Sequence, residues 1–304
     1  MAVNLNALST EQVNPRSRHI DMMNTMEMLR VENGEDKTVA STVEKVLPQV
    51  AELVDQAHER MVRGGRVIYI GAGTSGRLGV LDASECPPTF GVEPTLIQGM
   101  IAGGYGALIK AKEGAEDDPS LAESDLASAG LTADDTVIGL AASGRTPYVI
   151  GAVNYAKSIG AKTISVSCSP NSELNSIVDV AITPQPGPEV ITGSTRLKSG
   201  TAQKMVLNML STSVMIKLGK VYGNLMVDVK ATNEKLIERT VSIVRSTTRV
   251  SDAKAREVLA LCGYSAKTAI VMIKCNLNAE EAEKALINAN GHIARVISEK
   301  EGLK

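Results

Sequence analysis

Tryptophan is absent from this chain and phenylalanine occurs once, so aromatic side chains make up only 2% of 304 residues. That leaves no platform on which bases could stack, and 32 Lys and Arg against 34 Asp and Glu leave no basic excess to track a phosphate backbone. Nucleic acid is therefore not expected as a partner. Cysteine is scarce as well. Cys86, Cys168, Cys262 and Cys275 stand far apart, without the close pairs of metal or redox motifs, and read as free thiols of a reducing compartment. Of the three histidines, His19 and His58 fall on predicted helices and His292 in the C-terminal small domain, and all suit surface or capping positions better than catalysis. No metal site and no organic cofactor is expected. No apolar run approaches the length of a membrane span, and the first residues carry neither the positive stretch nor the apolar stretch of a leader. A soluble, cytoplasmic protein without a membrane partner is expected.

What is present is a 43% apolar chain, long enough to bury one large core and a small one. Residues 1–63 read as an N-terminal helical arm: an extended piece over 1–16, a helix over 17–32 stopped by Asn33-Gly34, and a second helix over 36–62 with Pro48 as a kink. Residues 64–238 read as the main domain. Short β-rich runs at 67–70, 95–101, 136–141, 162–167 and 178–183 alternate with helical patterns, including 147–159 and 201–220. The alternation predicts a parallel sheet covered on both faces, an α/β three-layer αβα sandwich. Residues 239–304 are helical in pattern, with caps at Ser251, Ser265 and Asn278, and predict a small three-helix, UBA-like domain.

The chain is organised around Gly71-Ala72-Gly73-Thr74-Ser75-Gly76-Arg77, a glycine-rich turn between a strand and a helix. Backbone N–H groups and the helix N-terminus converge there on one spot, which suits a phosphate. The turn matches the dinucleotide pattern letter for letter, but the second strand ends in Gly103-Gly104 and not in the acidic residue that holds a ribose. No Gly-Lys-Ser/Thr phosphate loop is present either. Ser143-Gly144-Arg145-Thr146 repeats the Ser-Gly-Arg of the first turn at the end of another strand, and open α/β sheets bind ligands at such ends. Thr74, Ser75, Ser143 and Thr146 add hydroxyls to the backbone donors, which fits a terminal phosphomonoester and so a sugar phosphate. Residues 187–204 form a third polar, glycine-rich segment containing Glu189 and Lys198. For acid–base work the carboxylates remain. By spacing alone Glu85 is a helix-end residue before Pro87-Pro88, and Glu116 belongs to an acidic turn before Pro119.

The blocks 71–91, 113–118, 141–148 and 196–210, from Gly71-Ala72-Gly73-Thr74-Ser75-Gly76 to Arg196-Leu197-Lys198-Ser199-Gly200-Thr201, strongly resemble N-acetylmuramic acid 6-phosphate etherases, and the resemblance extends over nearly the whole chain. It implies a sugar isomerase (SIS) domain, a homodimer with active sites near the subunit interface, and cleavage of the D-lactyl ether at C3 to give N-acetylglucosamine 6-phosphate and D-lactate in cell-wall sugar recycling. By the same resemblance Glu85 is the acid/base at C3, expected to be partly buried, and Glu116 the base at C2. Thr74, Ser75, Gly76, Ser143, Gly144, Arg145 and Thr146 hold the phosphate, and Glu189 and Lys198 touch the sugar or complete a neighbouring site. The family is also related to the glucokinase regulatory protein, so a regulatory sugar-phosphate binder without catalysis is the alternative. An aldose–ketose isomerase is a third reading, which would exchange the C2 proton but release no lactate.

Overall fold

The computed structural model describes residues 9–110, 112–229 and 233–302. Five strands form one parallel sheet: β1 (Val67–Gly71), β2 (Ile97–Ile101), β3 (Thr136–Leu140), β4 (Lys162–Val166) and β5 (Val180–Ile182), in the order β2-β1-β3-β4-β5. β1 and β3 are buried at every residue, which is why they read as short continuous apolar runs and not as alternating ones. On one face Ile68, Ile70 and Val137 pack with Leu126 of α5 (Pro119–Ser128), with Tyr148, Val149 and Val153 of α6 (Pro147–Ile159) and with Leu174 of α7 (Glu173–Ile177). On the other face Tyr69 and Leu140 meet Gly79 of α4 (Gly73–Phe90), where an added Cβ would lie 2.9 Å from that of Tyr69. The three-layer αβα architecture is the expected one. The order of the strands reverses between β1 and β3, so the loops that leave their carboxyl ends diverge and open a crevice.

The chain folds as two compact units, residues up to 84 together with 94–211, and residues 85–93 together with those from 212 on. In the first unit the N-terminal expectation needs correction. Residues 1–8 of the proposed arm lie outside the described residues, and the rest is not extended: it coils through 3-10 turns at Ser9–Glu11, Pro15–Ser17 and Ile20–Met22. The first full helix, α1 (Thr25–Asp36), starts at an Asn24 capping box with Glu27 and runs through Asn33-Gly34. Glycine in a helix costs only about 1 kcal/mol, and here its bare Cα leaves room for Arg16, whose guanidinium nitrogen would lie 2.9 Å from a Cβ at position 34. The long second helix is two, α2 (Val39–Glu44) and α3 (Leu47–Val62), with Pro48 in the first turn of the latter.

The continuation of α1 carries Glu35 to a buried ion pair. Lys198, 2% exposed, donates through Nζ to Glu35 and to the Pro186 carbonyl, while the exposed Arg16 approaches Glu35 at 3.1 Å. Burial alone would raise the Glu35 carboxyl, but the hydrogen bond and charge of Lys198, with Asn14 and Arg16, outweigh it and hold the group below its ordinary value. Glu35→Gln strands a buried ammonium and is expected to cost about 3 kcal/mol or more at neutral pH. A depressed carboxyl contributes stability that is whole above its ordinary value and lost as pH falls through its folded value. The gap between the urea midpoints of the two proteins should therefore close in acid, and a gap independent of pH would contradict this account.

In the second unit a two-stranded hairpin, β6 (Val221–Tyr222) with β7 (Leu225–Met226), precedes five helices: α9 (Glu234–Thr248), α10 (Asp252–Leu261), α11 (Ala266–Cys275), α12 (Ala279–Asn288) and α13 (Ile293–Lys300). Five replace the expected three. Ser251, Ser265 and Asn278 do cap α10, α11 and α12, but α9 starts from an Asn233 cap ahead of the expected boundary, and α13 starts at His292 without a side-chain cap to announce it. The unit itself begins at 212, within α8 (Lys198–Lys217), and not at 239. Its core gathers Val241, Val244, Leu259, Ile270, Val271 and Ile293 around α11. Among the described residues no single helix is long and apolar enough to cross a membrane, and no group of His, Cys, Asp or Glu is arranged to hold a metal ion.

Candidate active site

Where β1 and β3 end, the first unit holds a cleft of about 380 Å³ lined by Thr74, Ser75, Ser143, Arg145, Thr146 and Glu116, together with Glu11, Asp117, Gly193 and Thr195. The two serine turns that the sequence pairs are thus brought to one crevice, at the reversal of strand order. Both open helices into it. α4 begins with N–H groups that have no carbonyl one turn back to bond, and α6, whose first residue Pro147 carries no N–H, adds the partial positive charge of its N-terminus, so both helix starts favour an anion.

The turns are held tightly. At Gly76 a Cβ would come within 2.7 Å of both the Gly71 carbonyl oxygen and Ile101, so only glycine lets α4 start this close to β1. At Gly144, with φ +66°, a Cβ would lie 2.2 Å from the Ser172 hydroxyl. Ser75 is buried and donates to Oε1 of Gln203 at 2.8 Å, while Nε2 of Gln203 donates to the Val166 carbonyl at the end of β4. Ser143 accepts from the Arg145 N–H, and Thr146, the N-cap of α6, makes no capping bond with its side chain. Both residues line the cleft. Farther along α4, Asp82 accepts from Tyr69 at 2.9 Å and from Ser211 at 3.2 Å, tying the helix to β1 and α8. Burial pushes its carboxyl up, against the hydrogen bonds from Tyr69 and Ser211 and the charge of Lys204.

Glu116 sits in the 3-10 turn Ala115–Asp117 and is exposed at the junction of this cleft with a smaller one of about 130 Å³, lined by Arg77 and Lys112 among others. Glu85 does not line either. It lies on α4 eleven residues after Thr74, about 16 Å along the helix axis at 1.5 Å per residue. It does not end the helix, which runs on through Pro87-Pro88 to Phe90 at the loss of the helical donors to Ala83 and Ser84. The partial burial expected of it is also not found, because Glu85 is exposed.

Glu189 and Lys198 lie outside the cleft. The buried Glu189 carboxylate accepts from the N–H groups of Lys198 and Ser199 and from the Ser199 hydroxyl, which caps α8 and starts it three residues earlier than its sequence pattern suggests. Arg77 donates to the carbonyls of Ala107 and Leu108 and braces the loop after β2. Neither Glu11 nor Gln203 is announced by the sequence. Gln203 has no local signal inside a helix, and Glu11 sits in a stretch with no periodicity.

The profile of the glucokinase regulatory protein N-terminal SIS domain matches residues 45–157, that of the SIS domain 118–213, and that of the C-terminal lid domain of glucokinase regulatory protein 223–278. Among solved structures, a phosphoheptose isomerase from Francisella tularensis matches with a TM-score of 0.48 at 16% identity, covering 63% of this chain and 98% of that one. The N-acetylmuramic acid 6-phosphate etherase of Clostridium beijerinckii is 57% identical over 98% of both chains, and that of Serratia proteamaculans 55% identical over 97% of this chain and all of its own. With more than half of the residues shared from end to end, the chain belongs to the N-acetylmuramic acid 6-phosphate etherase family.

Proposed function

We propose that the chain cleaves the D-lactyl ether of N-acetylmuramic acid 6-phosphate, giving N-acetylglucosamine 6-phosphate and D-lactate, as a cytoplasmic homodimer in cell-wall amino-sugar recycling. The observation that carries the reading is the meeting of two hydroxyl-bearing turns and two helix N-termini with Glu116 in one cleft, in a chain whose relatives are named for this activity. The 6-phosphate lies against Thr74, Ser75, Gly76, Ser143, Gly144, Arg145 and Thr146. In the ring-opened sugar the C1 aldehyde acidifies the C2 proton. Glu116 takes that proton, the C3–O bond breaks, and the departing lactate oxygen takes a proton from a second carboxyl group. That group then deprotonates a water that adds to C3 of the unsaturated aldehyde, and C2 is reprotonated. Each such acid–base group contributes roughly 10²- to 10⁴-fold.

We assign the second group to Glu85, and its position on α4 bears on how it acts. A hexose phosphate seated at Ser75 and Ser143 is shorter than the helix between Thr74 and Glu85, so the Glu85 that serves a given cleft comes from a second copy of the chain. Burial of both carboxylates would then follow from assembly and substrate binding.

A lactate assay on the purified protein tests the function directly. Release of lactate excludes both a regulatory binder and an aldose–ketose isomerase, and its absence would refute the etherase. Ser143→Ala should raise KM about tenfold or more, the range for a lost hydrogen bond to a charged group, with a much smaller effect on kcat.

A further inference from the structure

Glu11 is a carboxylate that the N-terminal segment delivers to the cleft, separate from the two acid–base carboxylates. The delivery is built. Thr10 beside it is buried, Asn14 donates through Nδ2 to the Pro188 carbonyl at 3.2 Å, and Ser17 donates to the Val190 carbonyl at 2.7 Å. These bonds fasten the segment along the stretch that leads into Gly193 and Thr195. Gly193 has φ +76°, and a Cβ on it would stand 2.9 Å from a Glu11 carboxylate oxygen, so any larger residue would push into the place this carboxylate occupies. Among the described residues no hydrogen bond or ion pair engages Glu11, although it is half-buried.

An ionised carboxylate can only accept. At the end of the cleft formed by the serine turns, two helix N-termini favour an anion, and a second anion there would be repelled. Glu11 enters beside Gly193 and Thr195, on a different segment, so its complement is a neutral donor. Glu116 and Asp117 add two further carboxylates against one guanidinium, Arg145. The cleft therefore has one end that attracts an anion and a remainder that seeks hydroxyl or amide donors. A hexose 6-phosphate has that division of charge. We propose that Glu11 is a sugar-binding residue of the cleft, accepting a hydrogen bond from a hydroxyl or the acetamido N–H of the sugar body and so selecting a phosphorylated sugar over phosphate alone. The assignment rests on the reading of the cleft as a sugar-phosphate site.

Two inhibitors separate the two claims, N-acetylglucosamine 6-phosphate and inorganic phosphate, each measured against lactate release. Glu11→Ala should weaken inhibition by the sugar phosphate about 10- to 100-fold, as for a lost charge-assisted hydrogen bond, and leave inhibition by inorganic phosphate unaffected. Glu11→Gln, which keeps one acceptor oxygen and the same shape, should fall between Glu11→Ala and the unaltered chain. Equal weakening of both inhibitors would make Glu11 a support of the serine turns and overturn the proposal. So would unchanged inhibition by the sugar phosphate in both variants. If neither compound inhibits the unaltered chain, the cleft is not a sugar-phosphate site, and the assignment of Glu11 falls with that reading.

Discussion

Glu116→Gln is expected to lower lactate release by about 10²- to 10⁴-fold, the contribution of one positioned acid–base group, while leaving inhibition by the product close to that of the unaltered chain. Glu116 has no structural bond to lose among the described residues. It is exposed, it stands in a turn whose left-handed residue is Gly114, and its carboxylate opens on the cleft, so the variant should fold normally. Deuterium oxide makes the test sharper. A group that takes the C2 proton controls its exchange with solvent, so Glu116→Gln should abolish deuterium incorporation at C2 together with lactate release. Loss of the C3 group allows exchange to persist without lactate. Exchange at the normal rate in Glu116→Gln would remove this residue from C2.

The sheet and its two serine turns were legible because they depend on local chemistry. A fully buried parallel strand must be a short apolar run, and a turn in which a Cβ at position 76 would stand 2.7 Å from the Gly71 oxygen must be glycine-rich. Ends of helices were less legible wherever a distant partner decides them. α8 begins at Lys198 because Glu189, nine residues earlier, caps it, and α1 passes Asn33-Gly34 because Glu35 is drawn to Lys198, 163 residues on. The same long-range pairing misdirected the functional reading of Glu189 and Lys198, which look like polar site residues in a glycine-rich segment and are instead satisfied in the interior. Glu11 shows the reverse error. A polar stretch without periodicity reads as an extended arm, yet the side chains of Asn14 and Ser17 donate to the Pro188 and Val190 carbonyls and bring it to the cleft.

The position of Glu85 leads to the second large effect, which appears on mixing two inactive proteins. If each site takes Glu116 from one copy and Glu85 from the other, a Glu85→Gln homodimer and a Glu116→Gln homodimer each lack one group in both sites. A hybrid of the two concentrates both lesions in one site and leaves the other whole. Random reassortment of equal amounts makes half of the dimers hybrids, so lactate release should recover to about a quarter of that of the unaltered protein, from a starting point orders of magnitude lower, as the symmetry of a two-fold dimer requires. Carboxylates that act together within one chain give no recovery, since every copy then carries a defective site. Mixed activity at the level of the separate variants, in preparations shown to exchange subunits, would refute the assignment of Glu85 to the neighbouring copy, while deuterium exchange at C2 in Glu85→Gln alone would still report whether Glu116 works at C2.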